Sequence, residues 1–435
     1  VARGKRPSAR RGAAGLADRA GAVTAPLLLA AISAAILAQL AIGIGIAFWS
    51  FRNGNSTQLP IADELLAKVA TGAWAGWREF RVVGDAFEDQ ARTQRSLVLA
   101  PRDGQPLPDF APGQYLTFSF DLPASCTEPK RTIVRCYSLS DGPNGTSYRI
   151  TVKRMSAPAN MPDMAPGAAS SFLHDAVRIG DHLKVKAPAG QFVLDTASDA
   201  PAVLIAGGVG VTPMISMLAW SLAHQPERPI HLFYGVPNAY DHAFKTLLEG
   251  LARSHAAFAL TVLYSAPGPN DVEGRDFQQV GFIDVALLKR MLPLRRHQFY
   301  VCGPPAMMAA LVPALAEEGV PHSDIHFESF GPASAGYIRP TQGSTRASVQ
   351  TALDVQFRKS RRTLVWTGED ASLLDFAERR GIAIEAGCRT GNCGSCETRL
   401  VSGEIRYERK PDFEISPGSC LLCVGIPVSP LVLEA

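Results

Sequence analysis

Charge of one sign is what this chain most lacks. Its 43 lysines and arginines nearly balance 40 aspartates and glutamates, leaving a net charge of +3. No overall field therefore points to a nucleic-acid partner. Cysteine is scarce too: the chain has 8, few for a disulfide framework. Cys126, Cys136, Cys302 and Cys420 follow no pairing pattern, which suits a reducing compartment. No convincing catalytic histidine or carboxylate pair stands out; His174 is the tempting one, and a packed or capping role is favoured for it.

One stretch has no charge at all. Residues 20–51 carry no ionisable acid or base, and the run from Leu27 to Phe51 is long enough to cross a bilayer as one helix. Trp49 and Arg52 would sit at the interface. We therefore expect a basic tail at 1–21, a transmembrane anchor at 22–52, and a linker with a short helix at 53–74. A buried core helix seldom needs so many neutral residues in a row, and a cleaved signal peptide is disfavoured by the length. Orientation is in conflict. Arg3, Lys5, Arg6, Arg10, Arg11 and Arg19 precede the span and would hold that side in the cytoplasm, yet the chemistry downstream favours a cytoplasmic body on the inner membrane.

Near the C-terminal end four cysteines stand out: Cys388-Arg-Thr-Gly-Asn-Cys393-Gly-Ser-Cys396, with Cys423 further on. C-x4-C-x2-C…C is the spacing by which plant-type ferredoxins hold a [2Fe–2S] cluster. Two irons need four thiolates aimed at one small core, and Gly387, Gly391, Gly394 and Ser395 let the backbone wrap it. Zinc is the alternative, since C-x2-C pairs are common zinc ligands. Zinc sites, however, usually pair two such knuckles and need neither the x4 gap nor the glycines. Such a cluster passes single electrons, so the chain is expected to move electrons.

Residues 75–198 read as short β-rich runs broken by Pro and Gly (SLVLAP, QYLTFSF, TIVRCYSLS, SYRITVKRM, HLKVKAP, QFVL), which predicts an antiparallel β-barrel. Within it lie Pro112-Gly113-Gln114-Tyr115, then Arg135-Cys136-Tyr137-Ser138, Gly167-Ala-Ala-Ser170 and Ala187-Pro-Ala-Gly190. In this order the set resembles the flavin domain of the ferredoxin–NADP reductase superfamily, nearest to the reductase portion of flavohaemoglobins. The resemblance implies that Arg135 neutralises phosphate, that Tyr115 and Tyr137 pack against the flavin, and that Ser138 hydrogen-bonds near N5. Cys136 shares that strand. Gly167 and Ser170 would serve the flavin phosphate at a helix start. FAD is favoured, with FMN as the alternative.

Residues 199–332 change character. Ala202–Ala206 is a continuous apolar run, as in a strand covered on both faces. Gly207-Gly208-Val209-Gly210-Val-Thr212-Pro213 follows, and then a helical stretch. Strand, glycine turn and helix predict a doubly wound α/β nicotinamide domain whose turn meets a pyrophosphate. In the same superfamily Cys302-Gly303-Pro304 would lie beside the nicotinamide. Phe330, followed by Gly331, would cover the flavin until nicotinamide displaces it. Glu328 is a weaker candidate. Tyr234–His242 offers no lysine or arginine for a 2′-phosphate and includes an acid, so NADH is favoured over NADPH.

After a linker at 333–347, residues 348–435 resemble a β-grasp ferredoxin domain. Cys420 and Cys423 are both near enough to be the fourth ligand by spacing, and the family pattern of two apolar residues before the cysteine selects Cys423.

The resemblance spans roughly residues 75–435, and in domain order the chain resembles the reductase components of Rieske-type oxygenases and related demethylases. It implies an NADH-dependent oxidoreductase passing electrons through FAD and a [2Fe–2S] cluster to a redox protein: an oxygenase, hydroxylase, desaturase or cytochrome. A membrane tether would favour an acceptor in or near the bilayer. Rival readings are a reductase of quinone or ferric chelates, and a redox or oxygen sensor. No globin segment is read before the flavin module, so haem-based dioxygenation is not expected of this chain.

Overall fold

The computed structural model describes residues 73–74, 76–122, 131–157, 165–330, 352–389, 391, 393–407, 411, 413 and 415–435. The expected membrane anchor, the linker helix and Gly331 lie outside the described residues. Among those described, no helix is long and apolar enough to cross a membrane.

Six antiparallel strands form the first sheet: β1 (Arg78–Phe87), β2 (Gln94–Pro101), β3 (Tyr115–Leu122), β4 (Arg131–Ser138), β5 (Tyr148–Lys153) and β6 (His182–Val185), in the order β4-β3-β6-β1-β2-β5. The two edge strands meet where Leu139 bridges Ile150 and the Ser140 N–H donates to the Arg149 carbonyl at 2.8 Å. The sheet thus closes on itself, which removes its exposed edges. Phe80, Leu97, Leu116, Phe118 and Ile150 fill the interior. Helix α1 (Ala168–Asp175) covers one end, burying Leu173 and Ala169.

The second sheet is wholly parallel. Strands β7 (Ala202–Gly207), β8 (Ile230–Val236), β9 (Phe258–Tyr264), β10 (Gln279–Val280), β11 (Gln298–Gly303) and β12 (Ile325–Ser329) run in the order β10-β9-β8-β7-β11-β12. Every residue of β7 is buried, because helices cover both faces. They are α2 (Val211–His224), α3 (Lys245–Ser254), α4 (Val285–Met291) and α5 (Pro305–Glu317). The winding reverses at β7, whose neighbours are β8 on one side and β11 on the other. In open α/β sheets, that reversal opens a crevice at the strands' carboxyl ends.

The third sheet, β14-β13-β19-β15-β17, is mixed. It contains β13 (Leu353–Phe357), β14 (Arg362–Trp366), β15 (Glu397–Ser402), β17 (Ser419–Leu421) and β19 (Leu431–Leu433), with β16 (Ile405–Tyr407) pairing β18 (Gly425–Pro427) beside it. One helix, α6 (Leu373–Arg379), is capped by Ser372, whose Oγ accepts from the Asp375 N–H. Leu373, Leu374, Phe376 and Ala377 on that helix are buried against Val355, Phe357 and Leu433.

One expected strand fails. Residues 191–194 are irregular, and only Ala189 makes an isolated bridge, to Tyr115. Phe192 and Leu194 instead sink into the core of the parallel-sheet domain. The alternating apolar residues here serve a seam between two domains rather than a strand face.

Candidate functional site

Register decides which side chains of the barrel meet. Tyr115 on β3 pairs with Ser138 on β4, and Thr117 pairs with Cys136. Cross-strand partners and second neighbours share a face, so these four sit together. Thr117 Oγ1 and Cys136 Sγ are 3.4 Å apart. Tyr115 Oη and Ser138 Oγ are buried without any hydrogen-bond partner. Burial, with nearby thiols and Glu328, holds the Tyr115 hydroxyl well above its ordinary pKa, so it stays protonated as a donor.

Tyr137 points the other way. Its ring stands edge-on to Phe118 at 5.8 Å and tilts against Phe120, and its hydroxyl is pushed upward by burial. Tyr137 thus lies on the face of β4 opposite to Cys136 and Ser138, inside the barrel. Arg135 is exposed and reaches the Ala386 carbonyl at 3.3 Å. Ser170 Oγ is already used: it donates to the Gly167 carbonyl and accepts from the Met155 N–H. Gly167 caps α1 without a side-chain bond, leaving that helix start open. His174 is buried with Nε2 2.9 Å from the Val152 carbonyl, and burial lowers its pKa.

At the crevice of the parallel sheet the glycine turn and the Cys302 turn press against each other. A β-carbon on Gly207 would meet Pro304 at 2.6 Å, and one on Gly303 would meet Met307 at 2.3 Å. Gly208 differs: its φ is +52° and open space surrounds it. Thr212 is buried, and its hydroxyl donates to the Val209 carbonyl at 3.0 Å, fixing the first turn of α2 together with Pro213. Cys302 is fully buried and its thiol is pushed well up by burial, so it stays a neutral S–H. Directly across the β11–β12 ladder from it is Glu328. Burial first, and then Cys388, push the Glu328 carboxyl up to about 8, and its Oε2 has no partner. Phe330 packs partly buried against the same core.

In the third domain the four cysteines gather in two pairs. The Cys388 N–H donates to Cys393 Sγ at 3.2 Å, and the Cys393 N–H donates to Cys388 Sγ at 3.3 Å. The Cys423 N–H donates to Cys396 Sγ at 3.4 Å, and the two thiols share a hydrogen bond that lowers Cys396 and raises Cys423. Two pairs suit two irons that each take two terminal thiolates, whereas a single zinc ion wants four sulfurs at one centre. Cys420 is committed elsewhere, its thiol donating to the Thr398 carbonyl at 3.4 Å. Arg389, with φ of 59°, ties the cluster loop to α6 through Glu378 at 2.6 and 2.9 Å.

The cluster loop faces the barrel. Lys186, just past β6, donates from Nζ to the Cys393 carbonyl at 2.9 Å. Cys136 lies within hydrogen-bond reach of Cys393 and raises its thiol. Tyr115 feels Cys388 and Cys393 electrostatically. Orphaned buried hydroxyls on the barrel, an orphaned carboxyl at the crevice and paired thiols on the ferredoxin-like unit therefore converge. Lys186 is the residue that sequence reading missed; nothing local marks it. The orphaned atoms and open glycine turn fit a polar planar cofactor with a phosphate arm, and the thiol pairs fit a two-iron cluster.

Comparison with known proteins agrees. Residues 204–312 match the oxidoreductase NAD-binding domain family, and residues 357–428 match the 2Fe-2S iron-sulfur cluster binding domain family. The chain is 39% identical to a flavohemoprotein of Rhizobium meliloti (strain 1021) over 291 residues, 66% of this chain and 70% of that protein. Other curated flavohemoproteins are spanned over 61–64% of their length. The FAD/NAD-binding domain of nitric oxide dioxygenase from Vibrio cholerae O1 biovar El Tor is 34% identical. That match has a TM-score of 0.51 and covers 59% of this chain and 99% of that one. An intact type IV self-sufficient cytochrome P450 monooxygenase shares the fold over 82% of this chain and 41% of its own, at 23% identity and TM-score 0.52. The chain belongs to the flavohaemoprotein-type reductases of the ferredoxin–NADP reductase superfamily, an NAD(P)H-dependent oxidoreductase with FAD- and NAD-binding domains and a C-terminal [2Fe–2S] ferredoxin domain.

Proposed function

We propose that this chain is the reductase partner of a separate redox protein, taking reducing equivalents from NADH and delivering them singly to an oxygenase, hydroxylase, desaturase or cytochrome. The observation that carries the reading is the meeting of the Cys393 loop with the Tyr115–Ser138 face of the barrel, secured by the Lys186 ammonium on the Cys393 carbonyl. When bound, FAD accepts a hydride as an electron pair and the cluster carries one electron at a time, which together convert a two-electron donor into a one-electron source.

The chain's own residues would do the placing. Tyr115 and Ser138 offer buried hydroxyls to the flavin edge, and desolvation makes such hydrogen bonds count. Gly208 to Gly210, with Val209, Thr212 and Pro213, form the turn that receives the nicotinamide's pyrophosphate. Neutral Cys302 walls the nicotinamide side of the crevice, with Gly303 and Pro304 shaping the turn and Phe330 beside it. Arg135 and the open start of α1 at Gly167 and Ser170 supply the positive potential for the flavin's phosphates. Cys388, Cys393, Cys396 and Cys423 are the cluster ligands in this reading. The preference for NADH rests on Tyr234–His242, which carries no lysine or arginine at the end of β8.

The apolar run at 20–51 supports tethering at the inner membrane, with the three domains on the cytoplasmic side, where NADH is made. Such a tether raises the local concentration of an acceptor in or near the bilayer.

Two assays test the proposal. NADH-dependent cytochrome c reduction is compared in the full chain and in Cys396→Ser. The variant is expected to keep flavin reduction by NADH and to lose most one-electron output. Unchanged cytochrome c reduction in that variant would overturn the route. Fractionation of cells expressing the chain with and without residues 1–52 tests the tether: both forms staying in the soluble fraction would remove it.

A further inference from the structure

Lys186 stands between two domains and is not itself a ligand in either site. Its backbone is rigid, for its N–H donates to the Thr117 carbonyl at 2.9 Å and so prolongs β6. Its side chain leaves the barrel and ends 2.9 Å from the carbonyl of Cys393, a residue 207 positions away. The ammonium lies over two aromatic rings. The Trp77 centroid lies 5.1 Å off on the barrel side, and the Phe413 centroid 5.5 Å off on the ferredoxin side. Phe413 can sit there because the cluster loop carries Gly394, where a β-carbon would stand 2.3 Å from the Phe413 ring. A second point of contact lies beside it: a β-carbon added to Gly387 would stand 3.4 Å from the Val134 side chain of β4, and Arg135 donates to the Ala386 carbonyl at 3.3 Å.

We propose that Lys186 is the positioning residue that seats the cluster loop on the flavin barrel and, as a fixed cation on the peptide of one cluster ligand, raises the cluster's reduction potential. This rests on the proposed route from flavin to cluster. Distance and driving force are two quantities such a step depends on, and one side chain bears on both. Seating fixes the distance, because the loop is gripped from a β-strand rather than from a flexible connection. The charge fixes the driving force, because reduction adds a negative charge near the ammonium and the attraction favours the reduced form. Partial burial against two rings keeps solvent and salt from screening that attraction fully.

The test replaces the charge and keeps the stem. In Lys186→Met holoenzyme, redox titration of the cluster is expected to show its reduction equilibrium shifted about tenfold toward the oxidised form, about 59 mV for a one-electron couple. Single-turnover transfer from flavin to cluster is expected to slow at least about tenfold, while reduction of the flavin by NADH changes less than about twofold. Lys186→Arg keeps the charge and is expected to restore the potential. An unchanged cluster potential in Lys186→Met at full iron content overturns the proposal. Should that variant lose its iron, Trp77→Leu takes its place: it keeps the cation but strips one wall of the clamp. Slower interdomain transfer at normal flavin reduction supports the clamp, and an unchanged rate overturns it. A wild-type cluster that NADH cannot reduce at all would instead remove the underlying route, so the two failures are distinct.

Discussion

A β-carbon added to Gly210 would stand 2.2 Å from the carbonyl oxygen of Cys302. The glycine turn after β7 and the Cys302 turn after β11 are therefore one packed unit at the crevice, and neither can be altered without moving the other. Gly208 belongs to the same turn under a different constraint, since its φ is +52° and open space lies around it.

This contrast separates two glycine variants. Gly210→Ala forces backbone against backbone and is expected to destabilise the protein by about 1–3 kcal/mol, as overpacking of a filled site does. Gly208→Ala meets no neighbour and bears only the left-handed strain, about 1–2 kcal/mol. Urea unfolding of both, with the KM for NADH, checks the pair. Gly210→Ala should raise KM along with its instability, because the Cys302 turn shifts too.

The hydroxyls of Tyr115 and Ser138 give the opposite pattern. A buried hydroxyl without a partner costs about 1–3 kcal/mol, so Ser138→Ala is expected to leave the flavin-free protein as stable as before or more so. In the flavin-loaded protein the same change removes a bond and should slow flavin reduction by about tenfold or more. Thermal unfolding of the apoprotein and stopped-flow bleaching of the flavin read the two halves. A Ser138→Ala apoprotein that is much less stable would mean the hydroxyl has a protein partner after all.

Legibility in the sequence followed range. The cysteines at 388, 393 and 396 form a local spacing, and strand, turn and helix at 202–224 form a local pattern, so both were readable. Relations across domains were not. Lys186 follows a strand like many lysines, and only the folded chain brings it to Cys393. Phe192 and Leu194 read as a strand face because alternation is the same whether it serves a sheet or a domain seam. Arg135, Cys136, Tyr137 and Ser138 stand together in the sequence, but a strand turns alternate residues to opposite faces, so which of them meet was not readable there. The register with β3 sends Tyr137 into the barrel and leaves Ser138 beside Tyr115.

Arg389 and Glu378 carry the cluster loop. A non-glycine residue with φ of 59° holds that conformation only if something secures it, and here the bidentate pair to α6 does. Arg389→Ala is expected to lower iron and sulfide per chain to half or less, and Glu378→Ala to do the same. The double variant should be scarcely worse than either single one, since partners in one pair do not add. Iron content after desalting measures it. Full additivity would show that the two side chains act separately.

Acid should weaken the nicotinamide domain through His242. The imidazole is buried, with Nδ1 2.9 Å from the Tyr264 hydroxyl. Burial, with help from Lys245, pulls its pKa from 6.5 to about 4. Between those values the unfolded chain binds a proton that the folded one refuses. The histidine's contribution to stability is therefore whole above about pH 6.5 and is lost as pH falls toward about 4, at a cost on the order of 3 kcal/mol. His231 shifts in the same direction, burial again leading. Carboxylates also contribute to acid unfolding, so the comparison must be internal. His242→Asn keeps a polar group facing Tyr264 but does not titrate. Its unfolding free energy should fall less steeply than wild type across that window, and parallel slopes in urea titrations would show that His242 is solvated or charged in the native state.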